Sequence, residues 1–281
     1  MHGTTCVVTG ANSGIGKEIA FGLAAQGARV VMVARDADRG ETARSEVVER
    51  SGNDRVELLT CDLSSQRQIR ELASTLLEQC DTIDVLVNNA GLTLGDYRLT
   101  EDGLETTFAV NHLAPFLLTN LLLERLEASA PARVVTVASD AHRGNVIDFD
   151  DVSATGGYSA WRAYGASKLA NILFTSELAR RLDGSGVTTT CLHPGVVRTG
   201  FGRSGPWFVR LWFKLAGVVL LTPEQGADTA VWLATSPAVE GASGGYYVKR
   251  RLDEPSSAAR DPEAATRLWR LSTELTGLQA G

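Results

Sequence analysis

The sequence lacks the features of a membrane-spanning or nucleic-acid-binding protein. It contains no uninterrupted apolar run of about 20 residues, the length that a transmembrane helix needs. Its net charge is −6, so no excess of positive charge favours nucleic acid as a partner. Met1-His2-Gly3-Thr4 leads directly into a strand-like run, without the pattern of a signal peptide. We therefore expect a cytoplasmic protein with no transmembrane segment, and contact with a membrane surface is kept as an alternative.

Cysteine is scarce and shows no metal-ligand spacing. The four cysteines, Cys6, Cys61, Cys80 and Cys191, are far apart in the sequence. Cys6, Cys61 and Cys191 lie in or beside strand-like runs, so we expect these three to be small buried apolar residues in a reducing compartment. The sequence also shows no linker and no internal repeat. With 44% hydrophobic and 21% charged residues, it predicts one soluble domain over 1–281.

Strand-like and helical patterns alternate along most of the chain. Apolar runs predict six strands, at 4–9, 29–34, 56–60, 85–87, 133–138 and 187–192. Helical patterns follow them, at 14–26, 37–50, 66–79, 101–111, 115–128 and 164–182. Two more helices are predicted to begin at the capping-box pattern of Thr222 and at Asp261. Strands separated by helices of this length imply βαβ units, and thus an α/β fold with a mostly parallel sheet.

A glycine-rich turn follows the first predicted strand. Gly10, Gly14 and Gly16 have the spacing Gly-x3-Gly-x-Gly, and they let the backbone turn sharply and approach a bound group. The helix that follows directs its N–H groups and positive dipole end to the same place. A dinucleotide diphosphate fits this pattern, and an ordinary tight strand-to-helix turn is the alternative. The predicted cofactor contacts here are Gly10, Asn12, Ser13, Gly14, Ile15 and Gly16.

With this turn, the alternation predicts a single doubly wound Rossmann domain with helices on both faces of the sheet. Asp62 and Leu63 come just after the third strand, where they would flank an adenine ring. Asn88, Ala90 and Gly91 lie at the carboxyl end of the fourth strand, the edge where such sheets bind ligands. We assign these five residues to the cofactor site.

The end of the second predicted strand discriminates between the two nicotinamide dinucleotides. An acidic residue at this point would meet a free ribose, but here the apolar run is followed by Arg35. A guanidinium pairs with a 2′-phosphate through charge-assisted hydrogen bonds, and Lys17 adds positive charge nearby. We therefore predict a preference for NADP(H) over NAD(H). A solvated pair between Arg35 and Asp36 is the alternative.

Tyr164 and Lys168 are four residues apart in a predicted helix, which places the phenol and the ammonium on one face. A free tyrosine has a pKa of about 10 and is a poor base at neutral pH, but a nearby cation lowers that pKa. The pair could then move the proton that accompanies hydride transfer. A chance pairing on a helix is the alternative.

Two more polar residues, Ser139 and Asn111, lie at positions where a catalytic role is possible. Ser139 follows the fifth predicted strand, where it could bind the substrate oxygen beside Tyr164, or be an ordinary strand-end serine. Asn111 lies in an otherwise apolar helical stretch. It could bend the helix, hold a water linked to Lys168, or be a structural buried amide.

In their order and spacing, these motifs resemble the short-chain dehydrogenase/reductase family over nearly the whole chain. The motifs are Thr9-Gly10-x3-Gly14-x-Gly16, Asn88-Asn89-Ala90-Gly91, Asn111, Ser139, Tyr164-x3-Lys168 and Pro194-Gly195. The resemblance implies that Tyr164 is the catalytic acid/base, and that Lys168 lowers its pKa and contacts the nicotinamide ribose. It also implies that Ser139 orients the substrate and that Asn111 supports a proton relay. Further implied cofactor contacts are Asp62, Asn88, Tyr164, Lys168, Pro194, Gly195, Val197 and Thr199.

Within the family, the chain resembles retinol dehydrogenases of the NADP-preferring type. The similar stretches include Val110-Asn111-His112-Leu113, His193-Pro194-Gly195 and Thr222-Pro223-Glu224-Gln225-Gly226. That subgroup includes reductases of other lipophilic carbonyls, so the resemblance implies a lipophilic alcohol or carbonyl as substrate rather than retinal in particular.

A strongly apolar segment at 204–221 carries a cationic stripe of Arg203, Arg210 and Lys214 at helical spacing. We interpret the region around 200–221 as a substrate lid, with Trp212 against a lipophilic substrate. A membrane-surface contact and an oligomer contact are the alternatives. Assembly into a homo-oligomer through helices 111–126 and 164–182 is a further expectation from the resemblance.

The predicted function is NADP(H)-dependent interconversion of a lipophilic alcohol and its aldehyde or ketone, with Tyr164 as acid/base. One alternative is a regulatory protein that binds NADP(H) without turnover. Another is a reductase of carrier-linked acyl groups, for which Lys249-Arg250-Arg251 would be the docking patch unless it is a solvated loop.

Overall fold

A computed structural model describes residues 1–197 and 221–279 of the chain. Its centre is an eight-stranded sheet in the order β3-β2-β1-β4-β5-β6-β7-β8, parallel except for the antiparallel pairing of β7 with β8. The strands are β1 Thr5–Thr9, β2 Arg29–Ala34, β3 Val56–Thr60, β4 Val85–Asn88, β5 Ala132–Val137, β6 Val187–His193, β7 Tyr246–Val248 and β8 Arg251–Asp253. The predicted α/β fold class is confirmed, and each end of the six predicted strands agrees to within one residue.

Helices cover both faces of the sheet. They are α1 Gly14–Ala24, α2 Ala37–Ser51, α3 Gln66–Gln79, α4 Thr106–Phe108, α5 Ala114–Leu121, α6 Leu123–Ala128, α7 Ala160–Arg181, α8 Pro223–Thr235 and α9 Pro262–Thr276. A π-helical turn, Ala109–Leu113, joins α4 to α5. The capping box predicted at Thr222 is present at the start of α8.

The near-continuous apolar runs arise because the central strands are buried on both faces. Alternate residues of β1 and β2 enter opposite layers: Val7 and Val31 pack beneath α3, α5 and α7, whereas Val8 and Val30 pack beneath α1, α2 and α8. Side chains of a strand point alternately to the two faces, so both layers need apolar residues. All four cysteines are buried free thiols, as predicted for Cys6, Cys61 and Cys191.

The strand order places a switch point between β1 and β4. From β1 the chain proceeds outward to β3, then returns to the other side of β1 and proceeds outward again from β4. Ligands of open α/β sheets bind at the carboxyl ends of the strands beside such a point. The ends of β1, β2, β4, β5 and β6 carry the predicted site residues.

Three predicted helices differ most from the sequence-based expectation: the helix predicted at 115–128 is divided at Leu122 into α5 and α6, and two others begin at different residues. The helix predicted at 101–111 begins only at Thr106, because Gly103 adopts a φ of 75° and the Glu105 carboxylate accepts hydrogen bonds from the N–H groups of Thr107 and Phe108. The helix predicted at 164–182 begins earlier, at Ala160, because the Ser159 hydroxyl accepts a hydrogen bond from the N–H of Arg162.

The basic run at 249–251 is exposed, and it forms a tight turn and the first residue of β8. Lys249 and Arg250 have positive φ values of 50° and 60° and form the tight turn between β7 and β8, the two strands that the sequence analysis missed. The Arg250 guanidinium also forms an ion pair with Asp228 on α8. One of the three charges is therefore already paired, which weakens the run as a docking patch for an acidic carrier.

Helix α9 covers part of the helix pair that was expected to carry a homo-oligomer contact. The Trp269 ring lies 4.9 Å from the Phe116 ring on α5 and 6.0 Å from the Phe174 ring on α7, measured between centroids. The Arg181 guanidinium lies 4.2 Å from the centroid of the same indole. These faces thus pack against their own chain.

No helix within the described residues is both long enough and apolar enough to cross a bilayer. The predicted lid at 200–221, except for Leu221, lies outside the described residues, and so do Arg203, Arg210, Trp212 and Lys214.

Candidate active site

The turn after β1 packs tightly against the end of β4. Gly10 and Gly14 adopt φ values of 67° and 55°, which glycine allows at little cost. A Cβ on Gly10 would lie 2.8 Å from the Ala90 Cα, and a Cβ on Gly16 would overlap the Gly10 carbonyl oxygen and the Asn89 amide. The glycines are therefore required by the approach of two backbone segments as well as by the turn.

Asn89 and Thr9 hold this turn in place. The Asn89 side chain donates to the Thr9 carbonyl oxygen at 2.8 Å. The Thr9 hydroxyl accepts from the N–H groups of Asn89 and Ala90 at 3.0 and 3.1 Å. Sequence analysis assigned no role to Asn89. Two signals were available, its place between two predicted cofactor residues and its membership of the Asn88-Asn89-Ala90-Gly91 motif.

The N-terminus of α1 is open at its capping position. Ser13 is exposed, has an extended backbone, and makes no side-chain capping hydrogen bond. Asn12 lies beside it at the edge of a small cleft. Ile15 and Val197 both approach Gly226 on α8, where a Cβ would lie 3.2 Å from Ile15 Cγ1 and 2.6 Å from Val197 Cγ2. The structure thus brings the first turn and the segment after β6 together.

Arg35 is exposed at the end of β2 and forms no hydrogen bond or ion pair with the described part of the chain. The alternative of an Arg35–Asp36 pair is not formed, because the Asp36 carboxylate caps α2 by accepting the N–H of Arg39 at 3.0 Å. Lys17 does not supply free positive charge, since its ammonium lies 2.5 Å from the Glu46 carboxylate. Sequence analysis missed Arg39. Arg39 lines a cleft of about 170 Å³ together with Asn12, Lys17 and three other residues of α2, Thr42, Ala43 and Glu46.

The residues predicted after β3 and β4 are divided between surface and interior. One oxygen of the half-buried Asp62 carboxylate accepts from the N–H and the hydroxyl of Ser64 at 2.9 and 2.7 Å, while Leu63 is buried. Asn88 is also buried, and its amide donates to the Thr119 hydroxyl at 3.0 Å. The Asn88 side chain therefore forms its hydrogen bond inside the protein, and only the backbone of Asn88 is available to a ligand. Gly91 is exposed at the edge of the sheet.

Pro194 and Gly195 follow β6 as predicted. Gly195 has a φ of 85°, and a Cβ there would overlap the Leu221 side chain. The Leu221 N–H donates to the Val196 carbonyl oxygen at 2.9 Å, which closes this segment onto the start of α8. The predicted cofactor residue Thr199 lies outside the described residues.

Tyr164 and Lys168 lie one turn apart on α7. The Lys168 ammonium is 5.7 Å from the centroid of the Tyr164 ring, and it donates a hydrogen bond of 2.9 Å to the Val137 carbonyl oxygen at the end of β5. The expected proximity of phenol and ammonium is therefore present. Ser139 is also brought to this place, since its hydroxyl forms a hydrogen bond that acts on the Tyr164 phenol.

Burial dominates the acidity of both groups. It raises the pKa of Tyr164 to about 12, and the hydrogen bond from Ser139 offsets only part of that rise. Burial also lowers the pKa of Lys168 to about 8. This corrects the expectation that the Tyr–Lys pair by itself makes the phenol acidic. Removing both groups from water disfavours the phenolate and the ammonium alike.

Asn111 lies within the π-helical turn, which a hydrogen bond from the Ala114 N–H to the Ala109 carbonyl oxygen closes. Such turns occur often at functional sites. The Asn111 amide donates to the Leu92 carbonyl oxygen at 2.9 Å and to the Ser167 hydroxyl at 3.0 Å, and its oxygen accepts the Leu92 N–H at 2.7 Å. These bonds support the structural interpretation of Asn111, because they fix the loop after β4 against α7.

Gly91 lies between the ends of these side chains. A Cβ there would come within 3.4 Å of both the Asn111 Oδ1 and the Lys168 Nζ. The structure therefore brings Asn111, Ser139, Tyr164 and Lys168 to one point of the carboxyl edge of the sheet. The glycine turn lies on the same edge.

The comparisons with known proteins agree with this arrangement. The family model described as short chain dehydrogenase matches residues 4–205. Retinol dehydrogenase 14 of Homo sapiens is 43% identical over 99% of this chain and 88% of its own length. Retinol dehydrogenase 12 of Homo sapiens is 45% identical with the same coverage.

Solved structures show the same fold. An uncharacterised protein from Mycobacterium paratuberculosis has a TM-score of 0.80 and 36% identity over 98% of this chain and 94% of its own. The Pseudomonas aeruginosa RhlG/NADP active-site complex has a TM-score of 0.72 and 28% identity over 92% of this chain and 97% of its own.

Proposed function

The chain belongs to the short-chain dehydrogenase family and is an oxidoreductase that acts on CH–OH donors, and we propose that it uses NADP(H) to interconvert a lipophilic alcohol and its aldehyde or ketone. The observation that carries the proposal is the meeting of Ser139, Tyr164 and Lys168 at the edge of the sheet that also holds the glycine turn. The relatives named retinol dehydrogenases support the lipophilic substrate class, since retinol is a lipophilic alcohol.

The residues present fit a dinucleotide. The glycines at 10 and 16 leave no room for a Cβ, and the uncapped N-terminus of α1 offers N–H groups to an anion. We propose that this turn holds the diphosphate and that Asp62 and Leu63 flank the adenine. Ala90, Gly91 and the backbone of Asn88 would line the path toward Tyr164, as would Pro194, Gly195, Val197 and Thr199.

Arg35 supports the preference for NADP(H). Its guanidinium is exposed and unpaired within the described residues, so a 2′-phosphate would not have to displace an existing partner. The Asp36 carboxylate caps α2 and so does not pair with Arg35. Arg39 is within the same cleft region as Asn12 and would add a second positive charge.

The bound nicotinamide would supply or accept the hydride. Tyr164 would exchange the proton at the substrate oxygen, and Ser139 would hold that oxygen by a hydrogen bond. Because burial raises the Tyr164 pKa to about 12, the phenol is protonated at neutral pH and is ready to act as an acid toward a carbonyl. Lys168, whose pKa burial lowers to about 8, would place a positive charge beside the phenol when the phenol gives up its proton.

The test is turnover of the purified chain with NADPH and aldehydes and ketones of graded chain length, including retinal, followed by the loss of NADPH absorbance. We expect turnover to rise with the length of the apolar chain. The matched control is Tyr164→Phe, which keeps the ring and removes only the hydroxyl. No turnover on any substrate by a folded protein that binds NADPH would favour the regulatory alternative, and full activity of Tyr164→Phe would refute the acid/base role.

A further inference from the structure

One peptide unit next to the candidate site is held from both sides by histidine rings. It consists of the Ser139 carbonyl group and the Asp140 N–H. The His142 Nδ1 lies 2.7 Å from the Ser139 carbonyl oxygen, and the Asp140 N–H donates to the His193 Nδ1 at 3.3 Å. His142 is fully buried, and only 11% of the His193 side chain is exposed. We call this pair of rings the histidine clamp.

The partners determine where each ring carries its proton. A carbonyl oxygen only accepts, so His142 carries its proton on Nδ1, and its Nε2 accepts the N–H of Ser256 at 3.1 Å. A backbone N–H only donates, so the His193 Nδ1 is unprotonated. Its Nε2 then carries the proton and faces the Asp140 carboxylate at 3.5 Å. Each ring holds both of its partners only while it is neutral, and His142 would still donate to the Ser139 carbonyl oxygen after it took up a second proton.

A second proton would break one hydrogen bond at each ring, but only the bond lost at His193 is a bond to the 139–140 peptide. On His142 it would place an N–H against the Ser256 N–H, and on His193 it would place an N–H against the Asp140 N–H. Two donors cannot form a hydrogen bond with each other, and in a buried place neither would find water instead.

The charged and titratable groups around the clamp come from three parts of the chain. His142 packs against the Tyr246 ring at 5.3 Å between centroids, with Asp140, Arg143 and Asp253 near it. His193 faces Asp140, with His142 and Arg143 beyond. The Asp140 carboxylate in turn accepts from the Tyr246 hydroxyl at 2.9 Å and from the Arg143 Nε at 3.4 Å. Burial lowers the pKa of both histidines, so both are neutral at pH 7.

The clamp can act on the reaction through Ser139. The Ser139 hydroxyl belongs to the residue whose carbonyl group His142 holds, and it also caps the turn Asp140–His142 by accepting the Ala141 N–H at 3.2 Å. A shift of this peptide would therefore move the hydroxyl relative to Tyr164. Small misplacements of an orienting group reduce rates strongly.

We propose that His142 and His193 are positioning residues that hold the Ser139 hydroxyl toward Tyr164, and that a proton on the His193 Nδ1 releases the peptide that the two rings hold. This rests on the proposed function, in which Ser139 orients the substrate oxygen. Neither histidine is a catalytic residue, because each acts through the 139–140 peptide.

The test compares two kinds of variant at each histidine. His142→Asn and His193→Asn place an amide near the Nδ1 position, which can donate to Ser139 or accept from Asp140 but does not titrate. His142→Leu and His193→Leu remove the polar group. We expect the Leu variants to lower kcat by about tenfold or more without changing the KM for NADPH. We expect the Asn variants to retain most of the activity.

The pH profile of kcat separates positioning from packing. We expect the wild-type kcat to fall on the acid side of pH 6.5, in the direction of the lowered histidine pKa values, and the double variant H142N/H193N to lose that fall. The control is His2→Asn, which changes the exposed histidine at the opposite edge of the sheet and should leave the profile unchanged.

The outcomes distinguish the clamp from the proposed function. Folded Leu variants with wild-type kcat overturn the clamp, and they leave the proposed function intact if Tyr164→Phe is inactive. Full activity of Tyr164→Phe overturns the proposed function itself. If the Leu variants fail to fold, the double Asn variant decides, because an unchanged acid limb there would refute the clamp.

Discussion

The Lys168 ammonium donates a hydrogen bond of 2.9 Å to the carbonyl oxygen of Val137, the last residue of β5. This bond joins the middle of α7 to the strand that leads into Ser139. It also holds the ammonium on the side of Tyr164, since the flexible lysine side chain would otherwise have many rotamers available. The same residue therefore fixes the geometry of the site and sets its charge.

Replacing Lys168 tests the second of these roles. Lys168→Met keeps the length of the side chain and removes the charge, and we expect kcat/KM for carbonyl reduction to fall by about a hundredfold. Because the lowered pKa of Lys168 is about 8, the ammonium is present below that pH and is lost above it. The wild-type rate should therefore decline as the pH rises through about 8, and the Met variant should lack this decline. Lys249→Met, which removes an exposed ammonium in the turn between β7 and β8, is the matched control.

Arg35 determines the cofactor preference if its guanidinium binds the 2′-phosphate. Arg35→Asp should lower kcat/KM with NADPH by about tenfold or more, and it should raise the value with NADH, because a carboxylate repels the phosphate and accepts from a free ribose. The measurement is the ratio of kcat/KM for the two cofactors. Arg67→Asp on the exposed face of α3 controls for the change in net charge. A ratio that does not differ between wild type and Arg35→Asp would eliminate this role.

The sequence predicted the features of the fold and the site that depend on local patterns of residues. The six central strands were found because burial on both faces requires long apolar runs, as in Arg29–Ala34. The pairing of Tyr164 with Lys168 was found because residues four apart share a helix face. Strands β7 and β8 were missed because each has only three residues, and the residues of β8 are all exposed.

The rest depends on contacts between distant parts of the chain. The parallel register pairs Val137 with Leu192, and this places His193 beside the peptide after Ser139. No local pattern shows that register. The raised pKa of Tyr164 was likewise unpredictable, because it depends on how fully the site is buried rather than on the spacing of Tyr164 and Lys168.

The buried histidines make stability depend on pH. Burial lowers the pKa of His112 to about 3 from its usual value of 6.5, so between these values the unfolded chain binds a proton that the folded chain does not. The contribution of neutral His112 to the free energy of unfolding is complete above pH 6.5. It is lost as the pH falls toward 3, at about 1.4 kcal/mol per pH unit. Urea unfolding from pH 7 to pH 4.5 should show this slope, added to those of His142 and His193, whose pKa values are also lowered.

His112→Gln isolates the contribution of one ring. The amide can replace the hydrogen bond of 2.9 Å between His112 Nε2 and the Ser272 hydroxyl without titrating. The variant should have a lower free energy of unfolding at pH 7. That free energy should also change less steeply with pH, by up to the slope that the binding of one proton produces. His2→Gln, at an exposed histidine, should keep the full slope. An identical slope in wild type and His112→Gln would show that His112 is protonated in the folded state.

Trp269 tests whether α9 shields the helices below it from a second copy of the chain. The indole packs on Phe116 and Phe174, so Trp269→Ala should lower the free energy of unfolding by about 2 kcal/mol. Replacing a fully buried tryptophan would cost more, but Trp269 is only partly buried. It should also expose two phenylalanine rings and raise self-association, measured as mass by light scattering after size exclusion over a range of concentrations. Trp161→Ala is the matched control, since that indole is 63% exposed and its loss should change stability by less than about 0.5 kcal/mol. A stable oligomer of the wild-type chain that Trp269→Ala dissociates would reverse the interpretation, because the Trp269 side of α9 would then be part of the interface rather than its cover.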